Sequence, residues 1–341
     1  MRGSQALVEL AAQQAIRRAK AEAKALRREL NLAHKALVAE RKRSGVLEDL
    51  RASAVKPVVV RPRKACGKRV ATAVLLCSDW HVGERVTAAK VNGVNAYNVA
   101  EAEHRARRLA DAFTWLIEHH RNNFDITEAV IWLGGDLITG YLHPDQQQSN
   151  TLPPNKEVLL VQDLVHNLLD QTLALPGMER VVVPCSYGNH GRTTVKPQIA
   201  TGAENSFEWL LYHQLRRSYA GESRVQWQIA DGEQTYLKVY DTWLRFTHGD
   251  ATKYQGGVGG LTIPVNKAIA RWQTYRHADI TCMGHYHQYL DMPGLVVNGS
   301  LIGAAPYGMR VGQFEAPVQS FFLIDRKRGK AQSTPVWVTG R

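Results

Sequence analysis

Cysteine is scarce in this chain of 341 residues: Cys66, Cys77, Cys185 and Cys282 are the four present, and no two form a C-x-x-C pair. That excludes a zinc ribbon, a dithiol redox motif and a disulfide-stapled secreted scaffold, and leaves buried or incidental thiols. No apolar run approaches the roughly 18 residues that a membrane span needs. The opening Met1-Arg2-Gly3-Ser4-Gln5 lacks the hydrophobic block of a secretory signal, so the expectation is a cytoplasmic protein with no membrane partner. Walker A, G-x-S-x-G and H-E-x-x-H motifs are absent as well. The glycine-rich run Gly256, Gly257, Gly259, Gly260 has Thr262 where the last glycine of G-x-G-x-x-G would stand, so no dinucleotide site is expected.

What is present is the material of ordinary globular structure. With 44% hydrophobic and 22% charged residues, the chain is neither collagen-like nor wholly disordered, and its length allows one large domain or two modest ones. Charge is unevenly spread. Residues 1–70 hold 18 Lys/Arg against 6 Asp/Glu, whereas residues 71–341 hold 25 of each, so the whole net charge of +12 lies in the first fifth.

That first fifth reads as a basic helical arm and linker, residues 1–70. From Ala6 to Ala52 it has no proline, one late glycine (Gly45) and a wealth of Ala, Arg, Lys, Glu and Leu, which predicts one long helix or two. Ile16, Ala19, Ala23, Leu26, Leu30, Ala33 and Leu37 repeat at alternating spacings of three and four, an alanine-rich heptad seam. Lys56 to Lys64 reads as an extended basic linker. Three uses of the arm stay open: a nucleic-acid handle, a self-association helix giving a homo-oligomer, and a merely solvated helix. For the first, Arg17, Arg18, Lys24, Arg27, Arg28, Arg41, Lys42 and Arg43 are the candidate phosphate contacts.

From residue 71 to 341 the pattern changes to short apolar strands alternating with amphipathic helices. Strands are predicted at Ala73 to Cys77, Ala129 to Leu133 and Arg180 to Pro184, and helices at Asn98 to His120, Lys156 to Leu173 and Glu204 to Tyr219. Later strands crowd together at Thr235 to Tyr240, Trp243 to Thr247, Asp279 to Met283, Leu295 to Asn298 and Phe321 to Asp325. This is the pattern of an α/β sandwich with helices on its outer faces.

A polar cluster follows five of these strands: Asp79-Trp80-His81, Gly134-Gly135-Asp136, Gly188-Asn189-His190, His248-Gly249-Asp250 and Gly284-His285-Tyr286-His287. Open α/β sheets place ligand sites at such strand ends. On an extended chain residues two apart point the same way, so Asp79 with His81, and His285 with His287, are expected to aim as pairs into one cleft. Carboxylate with imidazole suits Mn, Fe, Zn or Ni better than Ca. Seven ligand candidates are too many for one tetrahedral site. They match two divalent ions sharing a carboxylate, about 3.5–4 Å apart, a spacing that clamps a phosphoryl group.

The order D-x-H, G-D, G-N-H, H-G-D, G-H-x-H resembles the calcineurin-like metallophosphoesterase superfamily, over roughly residues 72 to 325. Within it, the chain is similar to DNA-end nucleases of the Mre11/SbcD kind and to compact phage-type phosphoesterases. The resemblance implies a four-layer α/β/β/α sandwich with a dinuclear centre, Mn²⁺ favoured. It implies that Asp79, His81, Asp136 and His287 hold one metal, that Asp136 bridges, and that Asn189, His248 and His285 complete the other. His190 would steady transition-state charge or protonate the leaving oxygen, and a metal-bridging hydroxide would attack. Many members carry an acidic residue right after G-N-H; here Gly191 and then Arg192 follow. The block Gly135-Asp136-Leu137-Ile138-Thr139 also lacks the acidic or imidazole group often found three residues after the bridging Asp.

Arg192 can offer a bidentate fork to a substrate phosphate or form a structural salt bridge, and Lys253 with the glycine run can form a phosphate-facing loop. The expected function is a phosphodiesterase or nuclease acting on DNA or RNA. The alternatives are a phosphomonoesterase acting on phosphoprotein, nucleotide or a nucleic-acid end, and a non-enzymatic nucleic-acid-binding platform.

Overall fold

The structure, a computed structural model, describes residues 17–41, 67–142, 144, 146–253, 260–312 and 315–339. The chain divides into two compact units, Met1–Lys64 and Ala65–Arg341. In the first unit residues 17–41 form α1, exposed along its whole length, as the helix-forming composition predicts. Ile16, Lys42, Arg43 and the linker from Lys56 to Lys64 lie outside the described residues.

The second unit is mixed α/β with two sheets. Strands β1 (Arg69–Cys77), β2 (Phe124–Leu133), β3 (Arg180–Cys185) and β4 (Val225–Ile229) run parallel. β10 (Val318–Asp325) joins β1 antiparallel and β11 (Gly329–Trp337) closes that edge, giving the order β11-β10-β1-β2-β3-β4. The second sheet comprises β5 (Thr235–Val239), β6 (Thr242–Thr247), β7 (Ile280–Met283), β8 (Leu290–Met292) and β9 (Leu295–Val297) in the order β5-β6-β7-β9-β8, with β6, β7 and β9 parallel.

The central strands are apolar on both faces because each face meets its own core. In β1, Ala73, Leu75 and Cys77 enter one apolar cluster while Val74 and Leu76 enter another; in β2, Ala129, Ile131 and Leu133 separate from Val130 and Trp132 in the same way. This is the period-two alternation of a strand covered on both sides. The inter-sheet core sets Val74, Leu76 and Trp132 with Leu244, Phe246, Ile280 and Val296 of the second sheet. The Trp132 and Phe246 rings stack with centroids 5.7 Å apart.

On the other face of the first sheet, α2 (Val99–His120), α4 (Pro154–Leu173) and α5 (Phe207–Ser218) bury Leu109, Phe113, Val161, Val165, Leu211 and Leu215. α2 starts where Asn98 accepts the Glu101 N–H at 3.0 Å, and α5 where Ser206 accepts that of Trp209 at 3.3 Å. α6 (Thr262–Trp272) inserts Val265 into a smaller cluster with Met283, Leu295 and Val297. Two short helices, α3 (Gln146–Ser149) and α7 (Pro306–Val311), and a 3-10 turn at Ala88–Val91 complete the described elements.

Six elements went unread in the sequence: β4, β8, β11, α3, α6 and α7. β11 is a polar edge strand carrying Pro335, a residue tolerated at an edge because no second neighbour needs its missing N–H. α6 carries Pro264 in its first turn, where proline is harmless to a helix but reads as a breaker in sequence. α3 and β8 are too short for periodicity to speak.

Candidate metal centre

Parallel strands end at the same edge of their sheet, and the five polar clusters follow β1, β2, β3, β6 and β7 at that end. Backbone hydrogen bonds then carry the pairing beyond the strands. The Asp79 N–H donates to Gly135 O and the His81 N–H to Asp136 O, each at 3.0 Å. The His190 N–H donates to Asp136 Oδ1 at 2.8 Å, and the His285 N–H to both Asp79 carboxylate oxygens at 2.9 and 3.0 Å. The Gly284 N–H donates to His248 O at 2.9 Å. Each loop is thus fastened to another loop of the site.

The pairs do not converge by strand alternation, as the sequence reading expected. Asp79, His81, Asp136, His285 and His287 have φ of 57°, 50°, 51°, 71° and 53°, and account for five of the seven non-glycine residues with positive φ among the described residues. The left-handed region disfavours side chains with a Cβ, by about 1–3 kcal/mol each. Turns of that hand swing alternate side chains inward after the ladder has ended. Glycine is required nearby: a Cβ on Gly188 would stand 2.8 Å from Asp136 Cγ.

The ligand atoms face one another. His248 Nδ1 donates to Gly134 O at 2.8 Å, so in the neutral ring the Nε2 lone pair is directed at Asp136 Oδ2 (3.0 Å) and Asn189 Oδ1 (3.2 Å). Across the site, His81 Nε2 and His287 Nε2 lie 3.0 Å apart, and Asp79 Oδ1 is 3.5 Å from the latter. His81 Nδ1 is buried without a hydrogen-bond partner. Acceptors packed this way repel unless a proton or a cation sits among them. Three overlapping groups can hold a metal ion: Asp79, His81 and His287; His81, Asp136 and His190; Asp136, His248 and His285. In each the ligand atoms lie within 4.8 Å of one another. These groups take in six of the seven predicted ligands, and Asn189 joins them through its 3.2 Å contact with His248; His81 and Asp136 each belong to two groups.

Electrostatics favour a free lone pair on His81 and His285, whereas, against burial, His248 and His287 are raised by the carboxylates of Asp136 and Asp79 beside them, so that a cation bound there would displace a proton. Burial, reinforced by the neighbouring His190 and His287 rings, holds the His81 imidazolium well below its ordinary range, and burial with His248 pushes His285 down to about 4. Burial opposes charge on both Asp136 and His248 too, yet their mutual attraction prevails, keeping Asp136 ionised and raising His248.

His190 stands beside the ligands with Nδ1 bonded to Thr139 O at 2.9 Å, which turns the ring edge bearing Nε2 away from that carbonyl. Its centroid is 4.6 Å from that of His81. Arg192 spends its guanidinium on backbone carbonyls, those of Thr194 (3.0 Å), Val195 (3.2 Å) and Asn189 (3.4 Å). These contacts brace its own loop, and no salt bridge forms at Arg192 among the described residues. Lys253 is exposed; Gly256, Gly257 and Gly259 lie outside the described residues. Arg17, Arg18, Lys24, Arg27, Arg28 and Arg41 are all exposed on α1.

Two buried carboxylates escaped the sequence reading. Glu208, at the start of α5, accepts the N–H groups of Leu137 (2.6 Å) and Gly188 (2.7 Å), tying the Asp136 loop to the Asn189 loop. Glu157 of α4 accepts those of Thr139 (3.1 Å) and Gly140 (2.8 Å). Burial pushes both carboxyls up, Glu208 to about 7 and Glu157 to about 8, against the pull of these amides. A Cβ on Gly191 would lie 2.8 Å from Glu208 Cγ, so the missing side chain after G-N-H makes room for an acidic group arriving from a helix. The sequence signal was slight, an acid in the first turn after Ser206, which ordinarily marks only a helix start.

A third support runs through Asn298. Its Nδ2 donates to Ser78 Oγ at 2.9 Å, and Ser78 Oγ donates to Asp79 Oδ2 at 2.5 Å, which orients the carboxylate that a metal would use.

No family model and no curated protein matches the chain. Among solved structures, wild-type Vps29 complexed with zinc from Entamoeba histolytica aligns at 13% identity over 78% of this chain and 99% of its own, with a TM-score of 0.31. A hypothetical protein from Pyrococcus horikoshii OT3 aligns at 14% identity over 78% and 88%, TM-score 0.36. A predicted phosphoesterase from Streptococcus pneumoniae TIGR4 aligns at 11% identity over 78% and 97%, TM-score 0.30. Overlaps this loose carry no weight for function, which rests on the side chains themselves.

Proposed function

We propose that this chain is a dinuclear metal-dependent phosphoesterase whose substrate is a phosphodiester of DNA or RNA. The observation that carries the chemistry is the meeting of Asp136 Oδ2 and Asn189 Oδ1 with His248 Nε2 at 3.0 and 3.2 Å, with His81, His285 and His287 close by. The donor set fits a pair of Mn, Fe, Zn or Ni ions, Mn²⁺ being the first to try. Asp79, His81, His287 and Asp136 would hold one ion, and Asp136, Asn189, His248 and His285 the other. Divalent cations held there would polarise a phosphoryl group and acidify bound water. Helices packed on the outer face of each sheet support the four-layer sandwich of the calcineurin-like superfamily.

The chain's own part in hydrolysis is to position and to move a proton. Glu208, Glu157 and the Asn298–Ser78 relay hold the ligand loops before substrate arrives. The Thr139 carbonyl fixes the His190 ring; with Nδ1 as the donor, Nε2 is the atom that exchanges a proton with the leaving oxygen. His190→Ala is expected to retain metal while turnover falls by about 10²–10⁴-fold. Equal loss of metal in that variant, read by elemental analysis, would contradict the role.

The diester preference rests on the arm, since residues 71–341 carry no net charge to attract a polyanion. Deleting residues 1–64, the first compact unit, is expected to spare turnover of a small chromogenic diester while weakening polynucleotide binding and flattening its salt dependence. An unchanged salt slope would remove the arm from nucleic-acid binding. The proposal as a whole is tested by rates with Mn²⁺ on a monoester, an activated diester, and single- and double-stranded DNA and RNA. Faster turnover of polynucleotide or diester supports it, a preference for the monoester makes the enzyme a phosphatase, and activity undiminished by exhaustive chelation overturns the metal chemistry.

A further inference from the structure

α1 carries a second message, independent of the catalytic reading: we propose that it joins two copies of this chain as a parallel two-stranded coiled coil. The helix is continuous from 17 to 41 and every residue in it is exposed, including seam residues Leu26 (65%), Leu30 (70%) and Leu37 (54%). With Ala23, Leu30 and Leu37 at heptad position a, and Ala19, Leu26 and Ala33 at d, the stripe is two residues wide per heptad until Glu40 takes the next d and ends it; Leu32 and Val38 are exposed apolar residues outside it. The flanking positions are charged. Lys20, Arg27 and His34 fall at e, and Glu22 and Glu29 at g. A trimer or larger bundle would bury those charged flanks, whereas two strands leave them at the edge of the seam.

The signs of the flanks choose the orientation. In a parallel pair, g of one helix faces e of the next heptad on its partner. That sets Glu22 opposite Arg27 and Glu29 opposite His34 of the second copy, and the reverse pairs by symmetry. In an antiparallel pair g faces g and e faces e, so glutamate would meet glutamate and lysine would meet arginine. Glu29 has no basic residue three or four positions away on its own helix; residues 25, 26, 32 and 33 are Ala, Leu, Leu and Ala. Its charge is therefore unanswered within α1, and a parallel partner sets the His34 ring, a hydrogen-bond donor, beside it where an antiparallel one would set a glutamate. The outward positions b, c and f carry Arg17, Arg18, Lys24, Arg28 and Lys35 with no acid among them, so pairing leaves the basic face uncovered.

Sedimentation equilibrium of the full chain across a dilution series tests this. The expected mass at the concentrated end is twice the 38.1 kDa of one chain. Leu26→Glu with Leu30→Glu should return it to one chain at all concentrations, with hydrolysis of a small diester unchanged. Glu22→Lys with Glu29→Lys should also dissociate the dimer, and adding Arg27→Glu with His34→Glu should restore it. Ala33→Cys in a Cys66→Ser background should form a disulfide-linked dimer on mild oxidation, because equivalent d positions meet only in a parallel pair. A single-chain mass throughout, or a dimer unmoved by the leucine variants, overturns the proposal. A dimer in which Ala33→Cys fails to cross-link, or in which the fourfold charge exchange fails to restore association, overturns the parallel arrangement.

Discussion

Asp136→Ala is expected to lower phosphoester hydrolysis by at least about 10³-fold, since several kcal/mol of transition-state stabilisation depend on the cations and each 1.36 kcal/mol is tenfold in rate. No other residue is placed to do its work. One carboxylate oxygen accepts the His190 N–H at 2.8 Å, and the other lies 3.0 Å from His248 Nε2. It belongs, as His81 also does, to two of the three groups able to hold an ion, and it is the member that links the group of His81 to the group of His248 and His285. Its loss should therefore empty both positions, whereas loss of His287, which belongs to one group, should empty one. The check is metal content per chain beside the rate for each variant. A variant Asp136→Ala that still binds the full complement of metal would remove it as the shared ligand.

Glu208→Ala is expected to lower folding stability by about 3–5 kcal/mol, because the buried N–H groups of Leu137 and Gly188 lose their acceptor and stranded buried donors are penalised individually. For a domain of this size that corresponds to roughly 10 °C in melting temperature. Glu208→Gln should fall between, since the amide oxygen serves one loop while its NH₂ faces the N–H of the other. The larger consequence is for the site, because Leu137 adjoins Asp136 and Gly188 adjoins Asn189. Metal affinity should fall by about 10–100-fold, the usual effect of removing a group that orients ligands. Thermal unfolding with and without Mn²⁺ separates the two effects, and a melting temperature within about 2 °C of wild type would contradict the structural role.

How much of this could be read in advance depended on whether a residue's role was local. The apolar runs of β1, β2 and β3 and the long helices α2, α4 and α5 were legible because short apolar runs and helical periodicity act over a few residues, although α5 starts at Phe207, beyond the predicted Glu204. So were the seven ligand candidates, since a polar cluster bounded by glycine after an apolar run stands out in any window. The manner of their convergence was not. Pairing Asp79 with His81 by strand geometry failed because both lie beyond Cys77, where the chain enters the left-handed region. Glu208 and Glu157 were hidden for a different reason: each lies on a helix far in sequence from the loops it holds, and an acid near a helix start has an ordinary local explanation. Arg192 shows the converse: weighed in the sequence for a phosphate fork or a salt bridge, it turns its donors onto backbone carbonyls of its own loop.

Loading the purified protein with Mn²⁺ and locating the ions by anomalous scattering at the manganese edge addresses the central claim most directly. Two peaks are predicted, one on each side of the Asp136 carboxylate, the first against Asp79, His81 and His287 and the second against Asn189, His248 and His285. Absence of any peak within coordination distance of Asp136 would contradict the account.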